Sequence, residues 1–128
     1  MALGDLVYSR LSTYQAIIDV VEDRIYPVTL PEQPTYPAII YEETAGQSAN
    51  TGDGYLQKAT LRAMACADNY DESKAIGEII LIALRGYKRT DSTPLLISMQ
   101  DEFRQDLYLP DIGIYGDVIE FSAWTINE

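Results

Sequence analysis

Histidine is absent from this 128-residue chain, and cysteine occurs once, at Cys66. The first absence removes the usual general base at neutral pH and the commonest metal ligand. The second excludes an intrachain disulfide and a zinc site built on cysteines. Long apolar runs are missing too: the longest, Ile79 to Leu84, is far short of the roughly 20 residues that cross a bilayer. The opening Met1-Ala2-Leu3-Gly4-Asp5 has no basic start followed by an apolar run, so no secretory leader is expected, and folding in a reducing cytosol is. Basic residues are scarce. Nine of them face twenty acids, a net charge of -11, which repels phosphate backbones and anionic lipid. Neither nucleic acid nor membrane is expected as a direct partner.

The catalytic motifs are missing as well. Ser9, Ser12, Ser48, Ser73, Ser92, Ser98 and Ser122 have no histidine to activate them, and none sits in a nucleophile elbow. Gly52-Asp53-Gly54 lacks the lysine and helix start of a phosphate loop. Asp111, Gly113 and Asp117 do not follow the alternating ligand spacing of a calcium loop. The densest acids, Glu42-Glu43 and Asp101-Glu102 with Asp106, read as solvated faces in so acidic a chain, and none is expected to matter singly to fold or reaction. Cys66 reads as a small apolar residue. No enzyme activity, cofactor or metal site is expected.

What is present is an order of segments. A hydrophobic fraction of 47% suits one globular domain spanning 1–128, large enough to bury a core unaided. Val7, Leu11, Tyr14, Ile18 and Val21 form one apolar stripe and predict a first helix over roughly 5–23. Pro27, Pro31, Pro34 and Pro37 then impose an extended path. Ala38 to Thr44 reads as a strand. From Tyr55 to Ala67 the composition favours a helix, but alternation puts Ala59, Leu61, Ala63, Ala65 and Ala67 on one face, and strand is the preferred reading. Asn69 with Glu72 caps a second helix, and Gly86 ends it. Its run Ile79 to Leu84 is apolar on every side, so the second side needs cover from a neighbouring subunit or from the Pro-rich loop. Leu95 to Met99 reads as a strand, Gln100 to Tyr108 is ambiguous, and Asp117 to Ile126 alternates, with Ile119, Phe121 and Ala123 opposite Glu120, Ser122 and Trp124. The fold class is α+β: a small, mainly antiparallel sheet, two packed helices and a long flexible hairpin arm, Ala45 to Gly54.

Such a layout suits contact. Ten tyrosines and Trp124 offer stiff area with polar tips, although Tyr14, Tyr26 and Tyr41 are expected to border the core. Trp124 serves an interface or packs at an edge. The arm contacts a partner or is an ordinary loop. Candidate contact residues are Gln47, Ser48, Asn50, Thr51, Asp53 and Tyr55 on or beside the arm, with Ile82 and Trp124.

The succession Arg24-Ile25-Tyr26-Pro27, Pro37-Ala38-Ile39-Ile40-Tyr41, the small polar stretch ending at Gly54, Tyr70-Asp71-Glu72-Ser73-Lys74-Ala75, Ala83-Leu84-Arg85-Gly86 and Phe121 to Trp124 resembles the tail-completion or tail-terminator proteins of long-tailed bacteriophages. The likeness runs almost the whole length. It implies a structural virion subunit of the tail-neck region, assembled in the host cytoplasm. Six copies would form a ring that caps the tail tube, stops its polymerisation and meets the head-completion or connector protein. DNA would pass through without being bound. Another neck ring, a monomeric binding domain and a small hydrolase remain the alternatives.

Overall fold

Two side chains break the first helix where its apolar stripe predicts continuity. In the computed structural model, which describes residues 3–44, 56–89 and 95–126, Thr13 Oγ1 donates to the Ser9 carbonyl at 2.7 Å and Ser12 Oγ to the same oxygen at 3.3 Å. Such back-bonding competes with the helix ladder. At Tyr14 the chain turns extended (φ -83°, ψ 113°). The single helix expected over 5–23 is therefore two, α1 (Leu3–Thr13) and α2 (Gln15–Val21). The break re-aims the stripe: Ile17, not Ile18, joins Val7, Leu11 and Val21 in the core.

Beyond α2, β1 (Ile25–Pro27) pairs parallel to β2 (Ala38–Thr44), with Ile25 opposite Ile39. The sequence offered only an irregular path here. Arg24 fastens the connection, its Nε donating to the Pro37 carbonyl at 2.9 Å. Strand β3 (Leu56–Ala67) pairs antiparallel to β2 and β5, so alternation outweighs helix-favouring composition. Strand β4 is longer than expected, Leu95–Leu109, because the ambiguous stretch 100–108 continues it through two bulges. Strand β5 starts at Ile114, three residues before the expected Asp117. The five-stranded sheet has the order β1-β2-β3-β5-β4 and is antiparallel except at β1–β2.

The last helix, α3 (Tyr70–Leu84), has its predicted borders. Asn69 Oδ1 accepts from the Glu72 amide at 2.8 Å, satisfying one orphan donor of the first turn. Gly86 ends the helix at φ +75°, a backbone region where a Cβ is penalised.

All three helices lie on one face of the sheet. Leu61, Ala63 and Ala65 of β3, Ile119, Phe121 and Ala123 of β5, and Leu96 and Met99 of β4 meet Ile76, Ile80 and Leu84 of α3, with Leu6, Val7 and Leu11 of α1 beside them. The small alanines let α3 approach closely. Phe121 is fully buried, worth about 1.5–3 kcal/mol. The second apolar side of α3 is covered by α1 and α2, neither a neighbour nor the Pro-rich loop, and Arg10 Nε locks α1 to the Ala83 carbonyl at 2.9 Å. Only Ile82 of that run is left out, 65% exposed. The described residues thus form three helices where two were expected, and the arm Ala45 to Gly54 lies outside them.

Candidate interaction surfaces

Among the described residues every helix lies on one side, and the other face of the sheet carries no helix. Alternation in β2, β3 and β5 sends Ile40 and Glu42, then Lys58, Arg62 and Met64, then Val118, Glu120 and Trp124 to this side. Near its middle is a concavity of about 240 Å³, floored by Ile40, Met64 and Val118 and walled by Val28 and Leu107. Val28 holds a left-handed backbone (φ 68°) that β-branched residues avoid. Its amide donates to the Tyr41 carbonyl at 2.8 Å, which leaves the side chain 68% exposed at the rim. Charged pairs surround the hollow: Arg62 reaches Glu42 at 3.2 Å and Glu120 at 3.9 Å, and Lys58 reaches Glu102 at 3.9 Å. Lys58 Nζ also stands 6.0 Å from the Trp124 ring centre, a weak cation–π contact at an exposed site.

Trp124 is therefore half-buried on the bare face, while Ile82 projects from the helix layer. The structure places these two candidates on opposite sides of the molecule. The other candidates, Gln47, Ser48, Asn50, Thr51, Asp53 and Tyr55, lie outside the described residues. Tyr14 and Tyr41 do border the core. Tyr70, Tyr108 and Tyr115 cluster instead beside the β4–β5 turn, with ring centres 4.7 and 6.2 Å apart.

Of the densest acids, Glu42, Asp101, Glu102 and Asp106 are each paired with a cation. Asp101 takes two hydrogen bonds from Arg85, at 2.7 and 3.2 Å. Asp106 accepts from Lys74 at 2.8 Å and Tyr70 at 3.0 Å. Glu43 accepts from the Gly4 amide at 3.2 Å. Arg85 holds the Asp101 carboxyl below the usual range, Lys74 and Tyr70 do the same for Asp106, and Arg104 does so for Glu78. Burial pushes the Cys66 thiol up to about 12, leaving it an unreactive apolar group. Among the described residues, no three His, Cys, Asp or Glu side chains gather as metal ligands, and no helix is long and apolar enough to cross a membrane.

One acid that matters escaped the sequence reading. Asp117 is completely buried. Arg104 grips both its oxygens, Nη2 at 2.6 Å and Nε at 3.1 Å, and also holds Glu78 at 2.6 Å. Lys74 lies 3.6 Å from the same carboxylate. The signal was available: Asp117 shares the parity of Ile119, Phe121 and Ala123 and so falls on the core face. The network joins α3 to β4 and β5.

Acid should loosen it. Depressed carboxyl values add stability above the ordinary carboxylate range, and that contribution disappears as pH falls through the folded-state values. For Glu78, Asp101 and Asp106 the loss is therefore expected below about pH 4. The thermal midpoint should drop as pH falls from about 4 to about 2, and less steeply in D101N/D106N. A midpoint flat over that range would contradict the assignment.

Among the described residues, the helices cover one face of the sheet and leave a half-apolar face opposite, an arrangement open to contact with other chains. The chain belongs to the family of the tail completion protein gp17, whose model matches residues 5–126. Its role is accordingly structural and tail-related. Curated proteins give no match. A chain in the virion of a native gene transfer agent particle shares the fold, with a TM-score of 0.78 and 16% identity, covering 98% of this chain and 96% of that one.

Proposed function

We propose that this protein forms a ring, six copies by the resemblance, that caps the finished tail tube and joins it to the head-completion or connector protein. The observation that carries the reading is the placement of Trp124 and Ile82 on opposite outer surfaces. On α3, at 100° per residue, Ile82 points roughly 200° away from buried Ile80. Complementary patches on opposite sides make a head-to-tail contact, and such contacts close into rings when the rotation allows. A ring whose one face fits the tube, and whose other face cannot accept a further tube subunit, ends polymerisation by shape alone. The charge of -11 would keep DNA from adhering as it passes.

Negative-stain images of purified tail tubes incubated with the protein should show rings at one tube end. I82D should abolish them while the subunit stays folded, surface changes usually costing within roughly 0.5 kcal/mol, and W124A should do the same, with its fold checked by circular dichroism because the indole is half-buried. A folded protein that ignores tubes would overturn the reading.

The arm supplies a second contact in this scheme. Its residues Gln47, Ser48, Asn50, Thr51 and Asp53, with Tyr55 beside them, would reach a neighbour or the tube. Replacing Gln47 to Asp53 by a short Gly-Ser turn should leave the thermal midpoint nearly unchanged and impair particle assembly. Normal titres from the shortened protein would make the arm an ordinary loop.

A further inference from the structure

Strand β4 is the outer strand of the sheet, and from Phe103 to Leu109 it pairs with β5 without interruption, both bulges lying earlier. The opposite edge is blunted: β1 has three residues, one of them Pro27, which cannot donate to a ladder. Proteins guard exposed edges with proline, lysine, bulges or charges. Positions 103–109 contain no proline or lysine. Their two charges, Arg104 and Asp106, are turned to the helix layer and tied to Asp117, Glu78, Lys74 and Tyr70. A regular strand edge is thus presented beside Phe103 and Leu107, 49% and 38% exposed.

The residues along this edge are their own complement. Phe103-Arg104-Gln105-Asp106-Leu107 reads apolar, cation, amide, anion, apolar. Turned antiparallel on itself about Gln105, the strand sets Phe103 against the partner's Leu107 on the bare face. It sets Arg104 against the partner's Asp106 on the helix face, and Gln105 meets the partner's Gln105 on the axis. Directly opposed side chains lie about 4.5–5.5 Å apart at Cβ, so these are contacting pairs. Odd shifts would exchange the two faces of the sheet. Of the nearest even shifts, one opposes Arg104 to the partner's Arg104 and the other Asp106 to the partner's Asp106, and like charges directly opposite are unfavourable. One register survives.

We propose that free subunits pair two-fold through β4, each sheet continuing into the other with Gln105 on the axis. The contact is isologous and so separate from the head-to-tail contact of a ring; neither depends on the other.

Cysteine scanning of the full chain tests the register, since Cys66 is fully buried and will not interfere. Under mild oxidation Q105C should form a disulfide-linked dimer. F103C or L107C alone should not, but their mixture should. In sedimentation, the wild-type protein should be a dimer that dissociates on dilution. F103K/L107K should be monomeric, and F103E/L107K, which places opposite charges across the axis, should pair again. A wild-type monomer at every concentration, a dimer untouched by F103K/L107K, or equal cross-linking at 103 and 105 would overturn the proposal. If the lysine variant does not fold, the cross-linking pattern decides alone.

Discussion

Arg104→Met should cost about 3–5 kcal/mol in urea unfolding, the scale for removing one member of a buried ion pair. Domains of this size are stable by only about 5–15 kcal/mol, so the variant is expected to be largely or partly unfolded near body temperature. The loss is mainly a stranding cost. Asp117 is fully buried, and without the guanidinium its carboxylate keeps only Lys74, 3.6 Å away. Adding Asp117→Asn removes the stranded charge and should restore part of the stability. The non-additivity of the double-mutant cycle then measures the coupling. A loss below about 1 kcal/mol for Arg104→Met would mean that the carboxylate is solvated, since surface changes fall in that range. Asp106→Asn is the comparison: its partners, Lys74 and Tyr70, both sit at the surface, where a pair contributes about 0–1 kcal/mol.

Where a single period dominates, the fold was legible. Alternation in β3 and β5 assigned Leu61, Ala63, Ala65, Ile119, Phe121 and Ala123 to the core, where they lie. Asn69 and Gly86 marked the ends of α3. Misreadings occurred where a competing interaction set the local structure. The α1–α2 break depends on Ser12 and Thr13 returning to the Ser9 carbonyl, a choice that the stripe of Val7, Leu11 and Val21 does not encode. The strand β1 exists because Arg24 and Ile39 fasten it to β2, a contact remote in sequence. Residues 100–108 concealed a strand because their core-side positions carry Asp101, Arg104 and Asp106, which Lys74 and Glu78 of α3, Arg85 just beyond it and Asp117 of β5 neutralise. Of the candidate contacts, Ile82 and Trp124 were identifiable as apolar residues without an obvious place in the core. Which outer surface each occupies needed the helices to be placed first.

Gly77→Ala should lose about 3 kcal/mol, the upper end of the range for overpacking, although the same exchange in most helix interiors gains up to 1 kcal/mol. Gly77 lies midway along α3 and is buried. A Cβ built there would overlap an Asp117 carboxylate oxygen outright, reach its Cγ at 2.7 Å and come within 3.2 Å of Arg104 Nη2. Neither group can retreat without undoing the pair that neutralises Asp117. Either α3 lifts from β5, exposing part of the contact around Ile76 and Ile80, or the carboxylate swings away from the guanidinium. Gly116 is a weaker case: a Cβ there meets Met64 Sδ at 2.9 Å, the end of a flexible side chain that can turn into the concavity. Ala75→Gly provides the control on the same helix. That position is exposed, so the variant should lose about 1 kcal/mol from propensity alone. Chemical unfolding of Gly77→Ala, Ala75→Gly and wild type separates the two effects. If Gly77→Ala proves as stable as wild type or more so, α3 does not approach β5 as closely as described, and the placement of Ile82 on the outer surface would need revision with it.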